Sequence, residues 1–277
     1  MRDRASGRLG ILLTAWLTSF VAVGCQVSET PDADSGAGLA IPSQSAEDVE
    51  GPTPDEVLGA MVDFLSARNE ILVTSRITFE VLQDDGQVLQ FGRAHRMSIA
   101  RPDRLFWETI RDDASADSAW FADGTMTMLK RPSNVYGQVD LPTDIAAAVD
   151  ELIAVYDIRV PMADLLAGRG RQNFMEDPAE KWYVGQAWID GLWTHHIALR
   201  YEQVDLQIWI QRDGDPVPAK IAITWINEAG APSWVARLTD WDLSPAFSAE
   251  TFQFQPPDDA VQVPVLPAEP LDVAEGS

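Results

Sequence analysis

The sequence predicts an α+β domain built on one large, mostly antiparallel sheet, with one helix ahead of it and two in its middle. Three observations carry this. Apolar residues recur at helical spacing in residues 54–69, 141–157 and 161–170. The intervening and following segments alternate apolar and polar residues, as half-buried strands do. Asp-Gly pairs and other tight-turn signals stand between the alternating runs, which makes neighbouring strands antiparallel. A sheet of this size twists and curls, so the concave face that the helices cover is a candidate cavity.

The first helix reads PDEVLGAMVDFLSARN, with Val57, Met61, Phe64 and Leu65 on one stripe, Thr53 as N-cap and Asp55 and Glu56 in the first turn. Two strand patterns follow, ILVTSRITFEVLQ and QVLQFGRAHRMSIA, joined at Asp84-Asp85-Gly86. After Arg101-Pro102-Asp103 come RLFWETI, then SAWFADGTMTMLKRP with a tight turn at Asp123-Gly124, then NVYGQVD. The period then changes. LPTDIAAAVDELIAVYD places Ile145, Val149, Leu152, Ile153 and Tyr156 on one helical face with Thr143 as its cap, and PMADLLAGRG is a short helix stopped by Gly168 and Gly170. Strands resume with KWYVGQAWID, LWTHHIALRYE, VDLQIWIQRD, VPAKIAITWIN and SWVARLTDWDL, and AETFQFQPPDDA closes the domain as a short extended piece. No internal repeat and no Gly-rich phosphate loop occurs, and nothing points to a cofactor.

The flanks differ in composition from this domain, which spans residues 54–264. Residues 1–24 have Arg2, Arg4 and Arg8 ahead of an apolar run of about 15 residues, the length of a secretory h-region and too short to span a bilayer comfortably. The run ends Val21-Ala22-Val23-Gly24-Cys25, which resembles a bacterial lipobox, and Cys25 is the one cysteine in the chain. A lipidated Cys25 is therefore expected, with several acyl chains holding the protein to a membrane far more firmly than one would. Gln26 after the cysteine favours the outer membrane, by analogy with the sorting signal of enteric bacteria. The remainder of residues 25–53 is rich in Ser, Gly, Pro, Asp and Glu and has no aromatic residue, the composition of a disordered tether. A coil of that length reaches roughly 30 Å. The acidic tail from 265 to 277 is expected to be loose as well. The expected address is the periplasmic side of a Gram-negative-type envelope.

A net charge of −23 speaks against nucleic acid or an anionic phospholipid surface as partner. With a single cysteine, no disulfide can form within the chain.

RPDRLFWE at residues 101–108, FADGTMTMLKRPSNVYGQV at 121–139 and FQFQPP at 252–257 resemble, in order and spacing, blocks of the LolA/LolB lipoprotein carriers and their relatives. More specifically, GLWTHHIALRYEQVDLQIWIQRDGDPVPAKIAITW together with PMADLL is similar to a family of predicted periplasmic proteins, a domain of unknown function within that superfamily. The resemblance covers residues 54–260. It implies a LolA-like unclosed half-barrel, a strongly curved antiparallel sheet whose apolar hollow takes acyl chains in the characterised carriers. Fold analogy alone is a weak warrant for function.

Of the candidate sites, the pair His195-His196 is the most conspicuous, with His95 the other histidine. Adjacent strand residues point to opposite faces, so the pair cannot share one metal ion, and no three-ligand metal set with motif spacing exists. Asp205, with His196 or Arg200 on the neighbouring strand, is a candidate polar site. Its bland alternative is an ion pair across a hairpin. No Ser or Cys nucleophile stands in a recognisable elbow, and a non-enzymatic protein is expected. The ten tryptophans read chiefly as sheet core. Trp107, Phe121, Met126, Met128, Trp209 and Trp225 are the candidate lining of a hollow for an acyl chain, a lipid or a lipoprotein, each buried methylene contributing about 0.8 kcal/mol. The alternative is an envelope structural, sensor or interaction protein with a filled core and no ligand.

Overall fold

The computed structural model describes residues 51–156, 158 and 170–268. Helix α1 (Pro54–Ser66) starts where Thr53 forms a capping box. The Thr53 amide donates to Glu56 Oε2 at 2.8 Å and its hydroxyl oxygen accepts from the Glu56 amide at 3.3 Å. Val57, Leu58, Met61, Val62 and Leu65 form its buried stripe. At the other end, Arg101 Nη1 donates to the carbonyls of Leu65, at 2.9 Å, and of Arg68. Carbonyls at a helix end have no partner within the helix, so the arginine of the RPDR block has a definite structural task.

The strands are β1 (Glu70–Leu82), β2 (Val88–Ala100), β3 (Arg104–Arg111), β4 (Ala116–Ala122), β5 (Thr125–Lys130) and β6 (Val135–Asp140), then, after α2 (Ile145–Tyr156), β7 (Glu180–Ile189), β8 (Leu192–Arg200), β9 (Val204–Gln211), β10 (Pro218–Trp225), β11 (Ser233–Asp242) and β12 (Val261–Gln262). All twelve lie in one open sheet of order β12-β6-β5-β4-β3-β2-β1-β11-β10-β9-β8-β7. Two meanders, β1 to β6 and β7 to β11, are thus fused where β11 pairs antiparallel with β1. The turns do what their sequences require: Asp123 and Gly124 have φ of 53° and 75°, and Asp190 and Gly191 have 48° and 89°. Two successive positive φ values match the twist of antiparallel strands, and Asp-Gly adopts them at low cost. The result is the expected α+β half-barrel, with α1 and α2 packed on one face.

That face reads as rungs across the strands. Ile71, Ile99, Leu105, Phe121, Met126 and Val139 are successive partners from β1 to β6, and all are buried in one core with α1 and α2. In the other direction Ile77, Ala236, Ile221, Ile208, Ile197 and Tyr183 form the matching rung from β1 to β7, again in the core. Strand periodicity alone puts these side chains together.

Three features depart from the sequence reading, and part of that reading lies outside the described residues. The cap of α2 is Asp144, whose Oδ1 accepts from the amides of Ala146 at 2.9 Å and Ala147 at 3.1 Å, rather than Thr143. The expected helix at 161–170 falls almost wholly outside the described residues, as do Cys25 and the tether. A single π-helical turn, Arg171–Glu176, precedes β7. The closing segment is not simply extended: it makes a 3₁₀ turn at Ala249–Phe252, then lays β12 parallel to β6. It continues beyond the expected boundary at 264, with Val265 packed against the core and the Ala268 amide donating to the Val155 carbonyl at 2.8 Å. Only residues beyond 268 lie outside the described part of the tail. At the opposite edge Gly51 lies against the Tyr183 ring on β7, so closely that a β-carbon there would collide with it.

Candidate ligand-binding face

Along β1 to β5 the helix-covered face changes character from rung to rung. Beyond the two apolar rungs, which include Val73, Met97 and Trp107, comes a polar one of Ser75, His95, Thr109 and Asp117. His95 is 4% exposed, and its Nδ1 lies 2.8 Å from Thr109 Oγ1. Burial, and then the nearby Arg93 and Arg111, push its pKa down to about 4, so it is neutral at ordinary pH. Ser75 is fully buried and its Oγ has no hydrogen-bond partner among the described residues. Next come Arg93 and Arg111, paired across β2 and β3.

On the β7–β11 side the same face stays apolar further out. Leu199, Leu206, Ile223, Trp234, Phe79 and Phe91 follow one another across β8, β9, β10, β11, β1 and β2. The rung starts buried and ends exposed: Leu199 is 1% exposed and Phe91 42%. Its outer end is uncovered for a geometric reason. Strands β1 and β2 have 13 residues each and α1 also has 13, which is about 43 Å of strand against about 20 Å of helix.

The expected lining residues do not form one wall. Trp107, Phe121 and Met126 are 8%, 1% and 1% exposed and belong to the core under the helices, with Met128 packed against it. Trp225 shares the parity of Ile221 and Ile223 on β10 but lies at the far end of that strand, buried, its indole N–H without a partner among the described residues. Trp209 is a correction. It alternates with Ile208 and Ile210 and therefore stands on the uncovered face, where its ring stacks on His196 at 4.1 Å and carries Lys220 Nζ 4.1 Å from its centroid. Burial first, and Lys220 further, lower the His196 pKa, against the hydrogen bond between its Nε2 and Gln207 Oε1 at 2.9 Å, which raises it.

The candidate polar set also resolves into separate contacts. Arg200 and Asp205 are partners across the β8–β9 hairpin, and the guanidinium donates to both carboxylate oxygens, at 2.9 and 3.1 Å. His196 shares their face but bonds to Gln207, so no base and acid are poised together. His195 points to the covered face, 3.0 Å from the Tyr183 hydroxyl. No group of three metal-ligating side chains occurs among the described residues, and no helix among them is long and apolar enough to cross a membrane.

Sequence reasoning missed the outer end of the apolar rung, Phe79, Phe91, Ile223 and Trp234, although strand and helix lengths read from the sequence implied that some of the face must lie beyond helical cover. It also missed a groove of about 900 Å³ on the uncovered face, between Leu72, Phe106 and Trp120 and the segment 245–255. Phe254 anchors that segment, with ring centroids 5.2 Å from Trp120 and 4.9 Å from Tyr136. This is what the FQFQPP block does in the fold.

An open antiparallel half-barrel with helices on its concave face and apolar rungs beneath them defines the class. Within it, the chain belongs to the family described as Predicted periplasmic protein (DUF2092), whose model matches residues 54–266. Solved structures similar to it include LprF from Mycobacterium bovis, with a TM-score of 0.46 and 13% identity over 71% of this chain and 97% of that one. The lipoprotein LppX from Mycobacterium tuberculosis has a TM-score of 0.35 and 15% identity over 70% of this chain and 97% of that one. A LolA superfamily protein from Nitrosomonas europaea has a TM-score of 0.35 and 8% identity over 74% of this chain and 99% of that one. No curated protein matches in sequence.

Proposed function

We propose that the protein is a lipid-anchored envelope protein, held through Cys25 at the periplasmic side of the outer membrane, whose half-barrel binds or carries a hydrophobic ligand: an acyl chain, a lipid or a lipoprotein. The observation that carries this reading is the apolar rung that runs from Leu199 to Phe91 and emerges from helical cover at Phe79 and Phe91. A folded domain gains nothing by leaving Phe91 42% exposed, stacked 5.8 Å from the half-buried Phe79, on its concave face unless something covers it. The lipobox at Cys25 and the tether behind it support the anchor. A non-catalytic role is supported by the pairing of Arg200 with Asp205 and by the placement of His195 and His196 on opposite faces. Native mass spectrometry of the chain carrying Cys25→Ser is expected to show co-purified lipid. A chain that arrives empty and binds no fluorescent fatty acid would overturn the reading.

A second reading, an envelope structural, sensor or interaction protein with a filled core, is favoured by one observation. Trp107, Phe121 and Met126, which would line a deep hollow, are buried against the helices. On that reading the uncovered aromatic end contacts another protein, and the empty outcome of the same experiment selects it.

A further inference from the structure

Arg93 faces the covered side of the sheet, opposite Ile77 on β1. Its guanidinium carbon sits 4.3 Å from the centroid of the Phe79 ring. It is half-buried, and its Nε is buried without a hydrogen-bond partner among the described residues. Among the described residues, the groups around it offer no counter-charge. Arg111, its neighbour across the ladder, is engaged by Asp117. The Asp112 carboxylate accepts from the Gly92 amide. His95 is neutral and itself opposed by Arg93. The chain carries a net charge of −23, so carboxylates are abundant, yet none among the described residues pairs with Arg93. A half-buried cation is costly until an anion pairs with it.

The cation stands beside the open end of the apolar rung. Phe91, Phe79, Trp234, Ile223 and Leu206 run from β2 to β9, four strand spacings or about 19 Å. We propose that this face binds an anionic amphiphile, its carboxylate or phosphate paired with Arg93 and its alkyl chain laid across Phe91, Phe79, Trp234 and Ile223. The inference rests on the reading of the half-barrel as the holder of a hydrophobic ligand and adds the charge of the head group. A guanidinium suits either anion, since its planar fork donates two parallel hydrogen bonds to adjacent oxygens.

The test is titration of palmitate, 1-palmitoyl lysophosphatidate and hexadecan-1-ol, each below its micellar concentration, into the full chain carrying Cys25→Ser. At least one anion is expected to bind about tenfold or more tightly than the alcohol of equal chain length, the margin of a charge-assisted pair. The tighter of the two anions identifies the head group as carboxylate or phosphate. Arg93→Gln should remove the margin and leave alcohol affinity unchanged, and Arg93→Lys should keep part of it. Equal binding of all three by the parent chain overturns the proposal while leaving the hydrophobic-ligand reading intact, and needs no variant to fold. A margin that survives in Arg93→Gln also overturns it. If none of the three binds, both readings fall.

Discussion

Replacing Phe121 by alanine distinguishes a packed end of the half-barrel from a hollow one. The ring is 1% exposed, lies between Leu105 and Met126 on the neighbouring strands, and belongs to the core that α1 and α2 share. Truncating a buried phenylalanine costs about 3–5 kcal/mol where its surroundings cannot collapse into the space. Strand partners on both sides hold this site open, so the upper part of that range applies. A domain of this size loses about 2–4 °C of melting temperature per kcal/mol, so the midpoint should fall by roughly 8–20 °C. Urea unfolding followed by near-ultraviolet circular dichroism measures the loss, and Phe121→Leu, which keeps most of the volume, should recover much of it. Phe91→Ala is the control, because that ring is 42% exposed and has less burial to lose. If Phe121→Ala stays within about 1 kcal/mol of the parent, the ring borders open space and the packing argument fails.

Other perturbations test other parts of the structure. The folded-state pKa of His95 is about 4, below the ordinary 6.5, so as pH falls the unfolded chain takes up this proton first. Its contribution is fully present above about pH 6.5 and is lost on the way down to about 4, about 3 kcal/mol in all; His95→Gln should flatten that part of the urea midpoint against pH. Phe254→Ala removes the ring lying on Trp120 and Tyr136, and limited proteolysis should then cut within residues 245–268 well before the rest of the domain. Asp205→Asn should leave melting temperature and ligand affinity as they are, because the Arg200 pair it breaks is solvent-exposed; a large loss of either would mean the pair serves the site. Cys25→Ser should abolish incorporation of labelled palmitate and move the protein from the membrane to the soluble fraction on cell disruption.

Much of the fold was legible because it rests on short-range rules. The Asp123-Gly124 and Gly191 turns announce themselves, and alternation assigns His195 and His196 to opposite faces with no knowledge of partners. The same rule, applied consistently, would have separated Trp209 from Phe121 and Met126; grouping them by residue type overrode it. Thr143 and Asp144 are both good caps one residue apart, and the choice between them depends on where the helix begins, which tertiary packing sets. Val261 and Gln262 carry no strand signal between their flanking prolines, and their parallel pairing with β6 is a contact across 126 positions that no local pattern encodes. Arg93 was invisible for a similar reason. Alternation gives the side it faces, but not that Arg111 would stand beside it with the nearby Asp112 and Asp117 engaged by Gly92 and by Arg111.

An open sheet leaves two rows of unsatisfied backbone groups where other chains can attach. Here the C-terminal end of the domain covers one of them, as residues 261–263 bond along β6. That cover is among the last parts of the domain to be synthesised, so β6 stays a sticky ribbon until the domain is nearly complete. A chain cut short of Val261 would carry an almost complete core and still be prone to join its own copies, edge to edge.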